Sequence, residues 1–195
     1  MFKLSAVFVA ALLSGAAYAS PAITKRQGPP DEDNVCSPAS IDSTIKYFIQ
    51  SAVDSRVWQA EGVSADTFNF VDIQTKVSGS NDQLWSVFPI NHGDTFSFVS
   101  SSVSSANICA NGDGGPLDTS ACPDVASRQA PQFAQWFIFC KTCASDNRGA
   151  TGCQIQSAGE GQCASFLGSL SSNTVALEDC SSKDPNQFWN IVAAA

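Results

Sequence analysis

Three tryptophans, Trp85, Trp136 and Trp189, stand 51 and 53 residues apart, and each closes a similar stretch of chain. Asp82-Gln83-Leu84-Trp85-Ser86-Val87 and Asn186-Gln187-Phe188-Trp189-Asn190-Ile191 share one grammar: a polar turn, Gln, a spacer, Trp, then an apolar alternation. Gln132-Phe133-Ala134-Gln135-Trp136 is a poorer copy, with Ala134 where the other two carry Gln. Self-similarity at a fixed period limits the possible architectures more than local propensity does.

The likeness continues upstream. Trp58, Cys109 and Cys163 precede their tryptophans by 27, 27 and 26 residues. Ahead of them lie strand-like runs at Tyr47-Phe48-Ile49, Phe96-Ser97-Phe98-Val99 and Cys153-Gln154-Ile155-Gln156. Phe68 to Ile73 alternates at period two, the mark of a half-buried strand. Each unit reads as strand, turn, strand, polar loop, strand, turn and Gln-x-Trp (a QxW repeat) into a fourth strand. Three such units predict one all-β domain with pseudo-threefold symmetry, a β-trefoil, with repeats over about 44–92, 93–142 and 143–195. A β-sandwich is the alternative, but it supplies no reason for the long period. The indole can fill a shared core near the threefold axis. The Gln amide, both donor and acceptor, can satisfy turn backbone that would otherwise be buried unpaired.

Cys163-Ala164-Ser165, Val175-Ala176-Leu177-Glu178-Asp179-Cys180 and Asn186-Gln187-Phe188-Trp189 resemble one repeat of a ricin B-type lectin domain. The resemblance covers about residues 44–192; the first repeat lacks the cysteine pair and the second departs at Ala134. It implies carbohydrate binding through an Asp two residues after the first Cys, an aromatic near the end of the third strand, and an Asn before the motif Gln. Here the Asp slot reads Ala60, Asn111 and Ser165, and the aromatic slot Gln74, Ser120 and Glu178. Asn186 matches the third requirement, with Asp82 a variant of it. The candidate sugar-binding residues are therefore Ser165, Glu178, Asn186 and Gln187, with Phe166 as a displaced stacking surface, and Asn111, Asp82 and Gln83 in the other repeats.

Residues 1–19 read as a secretory signal: Lys3, an apolar run Ala6–Leu13 and a small-residue site at Ala17-Tyr18-Ala19. Residues 20–26 read as a short propeptide ending in Lys25-Arg26, and 27–43 as a Pro-rich, acidic arm. Without residues 1–26, seven basic residues face 18 acidic ones, a balance of −11. Such a surface repels phosphate, which argues against nucleic acid and anionic membranes as partners. No apolar run suggests a membrane helix or lipid anchor.

Eight cysteines in a secreted chain argue for disulfides. The lectin resemblance implies Cys109–Cys122 and Cys163–Cys180, each inside one repeat. For Cys36, Cys140, Cys143 and Cys153 the expectation is Cys36–Cys140 with Cys143–Cys153, tying the arm to the third repeat. Cysteine order alone leaves this connectivity open.

Catalysis finds no support. His92 is the single histidine, in a loop by composition, so a nucleophile relay has one possible base. Glu178 and Asp179, as strand neighbours, face opposite sides and make no glycosidase pair. Gly112-Asp113-Gly114-Gly115 lacks the Lys of a phosphate loop. No cofactor is implied. The expectation is a secreted, extracellular lectin-type protein whose partner is a glycan or cell-wall polysaccharide. The alternative is a trefoil that has lost sugar binding, such as a protease inhibitor or effector, acting through the loop 111–131 around Arg128 and Pro131.

Overall fold

The computed structural model describes residues 36–38, 41–60, 69–103, 107–122, 125–146, 148–167 and 173–194. The expected signal, the propeptide and most of the arm lie outside these residues, as does the side chain of His92. The strands are β1 (Tyr47–Ser51), β2 (Val57–Ala60), β3 (Val71–Gln74), β4 (Trp85–Ile90), β5 (Thr95–Ser100), β6 (Ile108–Asn111) and β7 (Asp118–Ala121). They continue as β8 (Trp136–Phe139), β9 (Thr142–Cys143), β10 (Gly149–Ser157), β11 (Cys163–Phe166), β12 (Val175–Glu178) and β13 (Trp189–Ala193).

Antiparallel pairing runs β1 to β4, β4 to β5, β5 to β8, β8 to β10, β10 to β13 and β13 back to β1, which closes a six-stranded barrel. The hairpins β2–β3, β6–β7 and β11–β12 stand outside this ring. Single bridges join them to one another, at Phe70 with Asp118, Asp72 with Thr174, and Pro116 with Ala176. A barrel capped by three hairpins is the β-trefoil that the tryptophan period predicts. Closure leaves the barrel strands without a free edge.

The three indoles hold equivalent places. Trp85 Nε1 donates to the Trp58 carbonyl at 3.3 Å, Trp136 to Ala110 at 3.1 Å and Trp189 to Ala164 at 2.9 Å. All are fully buried. Trp58 therefore occupies, in the first repeat, the position that Ala110 and Ala164 take in the others. Its ring packs edge-on against Trp85, Phe98 and Trp189, with centroids 6.0, 5.4 and 5.3 Å away.

This corrects the upstream alignment. Cys109 faces Ser120 and Cys163 faces Glu178, while Gln74 faces Val57 rather than Trp58. Val57, not Trp58, matches the two cysteines, so the first-repeat slot belongs to Gln59 and not to Ala60. A one-residue shift in a strand exchanges its inner and outer faces. Ala60 accordingly lies in the core.

The two motif glutamines do similar work. Gln83 accepts from Val77 N–H at 2.7 Å and donates to the Thr75 carbonyl at 2.9 Å. Gln187 accepts from Ser181 N–H at 2.7 Å and donates to the Asp179 carbonyl at 2.8 Å. Each is buried and locks the loop that precedes its 3₁₀ turn. At Ala134 this clamp is missing; buried Val125 packs beside it, and Gln135 reaches back to the Ala130 carbonyl at 2.6 Å. Gln187→Ala strands two backbone groups and is expected to cost about 2–3 kcal/mol in denaturant unfolding, without changing the barrel's circular dichroism.

All eight cysteines are paired, as Cys36–Cys143, Cys109–Cys122, Cys140–Cys153 and Cys163–Cys180. The two pairings inside repeats are those implied by the resemblance; the expected Cys36–Cys140 and Cys143–Cys153 are not formed. Phe139 lies opposite Gln154, so the next residue, Cys140, meets Cys153 across the barrel wall. Cys36 does pair with Cys140, but through backbone hydrogen bonds of 2.9 and 2.8 Å, and its sulfur joins Cys143 instead.

Candidate functional site

Strand alternation sorts each hairpin into an inner and an outer face. Val71, Ile73, Leu117, Thr119, Val175 and Leu177 are buried. Their alternates occupy the opposite face of each hairpin, and three equivalent pairs result there: Gln59 with Asp72, Asn111 with Asp118, and Ser165 with Ala176. Of these, Gln59, Asp72 and Asp118 are half-buried and Asn111, Ser165 and Ala176 are buried. Against each first strand lies the 3₁₀ turn that carries the motif: Asn81–Gln83 on β2, Gln132–Ala134 on β6 and Pro185–Gln187 on β11.

The third repeat offers less than its sequence implies. Ser165 is buried opposite Ala176, which brings no polar partner. Glu178 is exposed opposite Cys163, two residue pairs along the hairpin from Ser165. The Gln187 amide is committed to loop backbone, and the Asn186 backbone N–H donates to the Asp184 carboxylate at 3.0 Å. Phe166 is only 7% exposed, and the Arg56 guanidinium lies over its ring, 4.3 Å from the centroid. It is a core residue, not an open stacking surface. In the first repeat Gln83 also donates to Gln59 at 2.8 Å, which uses the slot residue internally, and Asp82 is half-buried beside it.

The second repeat differs. Asn111, 4% exposed, donates through Nδ2 to Asp118 at 3.1 Å and to the Ser120 hydroxyl. Its Oδ1 is buried and makes no hydrogen bond among the described residues. Burial pushes the Asp118 carboxyl above the usual carboxylate range; the Asn111 hydrogen bond opposes this, and the nearby charge of Asp113 adds to it. Phe133 occupies the place of Asp82 and Asn186, before Ala134, and is 40% exposed. Its carbonyl accepts from Gly112 N–H at 2.8 Å, which fixes the turn against the end of β6. Gly112 cannot be larger here, since a Cβ would stand 2.7 Å from the Trp136 ring. The result is an amide, a carboxyl and a hydroxyl in one hydrogen-bonded set, beside a turn that exposes an aromatic ring.

Of the sequence candidates only Asn111 belongs to this set. Asp118, Ser120 and Phe133 complete it. The alternation Leu117-Asp118-Thr119-Ser120 could have marked Asp118 and Ser120 as outward, given the register with β6. Phe133 carries no such signal, because the slot it fills asks for a polar residue.

The loop 111–131 presents Arg128 exposed, but at φ 61°. A left-handed residue does not present the extended backbone by which a chain adds to another protein's strand. Pro131 is half-buried at the start of the 3₁₀ turn.

No protein-family model matches the chain, and no curated protein matches it in sequence. Solved structures do match. ThreeFoil, a designed threefold-symmetric protein, has a TM-score of 0.56 at 13% identity, over 77% of this chain and 99% of that one. The cytolethal distending toxin of Haemophilus ducreyi gives 0.54 at 14% identity, over 78% and 84%. A β-trefoil named BEL gives 0.56 at 8% identity, over 81% and 99%. At such identities the likeness is one of fold, and fold does not carry function. The chain is a β-trefoil, built like proteins whose sequences it hardly shares.

Proposed function

We propose that this is a secreted, extracellular glycan-binding protein of lectin type, without catalytic activity, and that its ligand sits on the second repeat. The observation that carries this is the Asn111–Asp118–Ser120 set with Phe133 exposed beside it. A shallow sugar site must replace hydration with directed hydrogen bonds and with contact between an aromatic face and sugar C–H groups. Asp118 supplies an acceptor, Ser120 a donor and acceptor, and Asn111 fixes the geometry of both. Four disulfides support an oxidising, extracellular setting.

A glycan array followed by titration calorimetry on the mature protein tests this. Binding of at least one neutral glycan, abolished by Asn111→Ala and weakened about tenfold by Asp118→Asn, is expected. No glycan bound at millimolar concentration would end the proposal. The pH profile adds a second test. Asp118 loses its charge at a higher pH than an exposed aspartate, so affinity falls on acidification through that raised range. Asp118→Asn flattens the profile. For the fold the sign is opposite. The ionised carboxyl destabilises above its folded pKa, and this cost disappears as pH falls towards its ordinary value of 3.8.

A further inference from the structure

Phe70 stands just before β3 and is 59% exposed. The sequence alternation from Phe68 to Ile73 gives it no such place, since its neighbour Val71 is the residue that turns into the core. It forms an antiparallel bridge with Asp118 of the second repeat. Val71 N–H donates to the Leu117 carbonyl at 2.8 Å, and Thr119 N–H to the Asn69 carbonyl at 2.9 Å. These flanking bonds make Phe70 and Asp118 a non-hydrogen-bonded pair, the kind whose side chains stand closest, with Cα atoms about 4.5 Å apart. Both point outward, because Val71, Leu117 and Thr119 fill the inner face.

This face therefore carries a row: the Phe133 turn, Asn111 buried on β6, the half-buried Asp118 on β7, then the exposed Phe70. Adjacent strands lie about 4.8 Å apart, so from β6 to the chain bearing Phe70 is roughly 10 Å. Two aromatic rings bracket a polar centre over a strip wider than one pyranose ring. We propose that the ligand is a neutral oligosaccharide rather than a single sugar, and that Phe70, from the first repeat, forms a second stacking subsite beside the Asn111–Asp118 set. This rests on the glycan-binding reading above. Asp118 and the adjacent Asp113, on a chain of net charge −8, repel anionic glycans and leave uncharged ones favoured. Phe70 belongs to the site through position and not through folding, since its ring adds little to the core.

The test is calorimetry of the mature protein against cello-, xylo- and chito-oligosaccharides of one to six units. Affinity in the series that binds is expected to rise about tenfold between one unit and three. Phe70→Ala erases that rise and leaves monosaccharide affinity unchanged, while Phe70→Trp restores it. Asn111→Ala removes binding at every length. The inference is overturned if affinity is independent of length, or if Phe70→Ala leaves the longer ligands unaffected or weakens all lengths alike. Absence of binding to any of these sugars or to the glycan array removes the underlying reading and this one with it, and is thereby distinguished from failure of the subsite alone.

Discussion

Replacing Trp58 by alanine is expected to lower the unfolding free energy by about 3–5 kcal/mol, the range for truncating a large buried aromatic. That is a large part of the total for a domain of this size. The indole is fully buried and meets Trp85, Phe98 and Trp189 edge-on, so its loss empties the place where rings from all three repeats converge. The other repeats set only Ala110 and Ala164 at this position, so no neighbour can expand into the void. Trp58 also carries a flaw, because its Nε1 is buried without a hydrogen-bond partner among the described residues. A stranded donor costs about 1–3 kcal/mol. Trp58→Phe keeps most of the ring contacts and removes the donor, so it is expected to lose less than half as much as Trp58→Ala. Denaturant titration of both variants decides the matter. If phenylalanine proves as damaging as alanine, the shape of the indole, and not the volume it fills, governs this site.

Cys36→Ser with Cys143→Ser should cost as much. The bridge spans 107 residues, and closing so long a loop restricts the unfolded chain by about 4–5 kcal/mol in the chain-entropy model. The Cys109–Cys122 bridge spans 13, for which the same model gives about 3 kcal/mol. The double substitution is required, because a lone Cys36 thiol would lie beside the Cys140 end of the neighbouring disulfide and could exchange with it. Thermal unfolding of the two double variants side by side gives the comparison. Equal losses would mean that local packing sets the value of these bridges, and not the entropy of the unfolded chain. Peptide mapping under non-reducing conditions reads the connectivity directly.

The aspartate of the second repeat shows why the site was only half legible in the sequence. Asn111 could be found by counting from Cys109, since one residue between them on a strand keeps both on one face. Asp118 needs the pairing of β6 with β7, and Phe70 the pairing of two different repeats. No local pattern records either. In the first repeat the count began one residue late, at Trp58 instead of Val57, and so chose Ala60 over Gln59. An apolar strand end gives no phase by itself, and a single step reverses the face. The Gln of Gln-x-Trp read in the sequence first as a holder of turn backbone and only second as a ligand, and the hydrogen bonds of Gln83 and Gln187 assign both to the loops.

The sequence alone determined the threefold plan. Indoles recurring at a constant interval, each followed by an apolar alternation, can all be buried only if the units repeat around one core. That demand is written in spacing and chemistry within each unit, and needs no knowledge of the others. The tertiary structure alone decided which cysteines of the Cys36, Cys140, Cys143 and Cys153 group meet, and which repeat gathers an amide, a carboxyl and a hydroxyl into one hydrogen-bonded set. It also set an exposed phenylalanine of one repeat beside a carboxyl of the next. These are contacts between segments far apart in the chain, fixed by strand register and barrel closure, and register is a property of two strands at once.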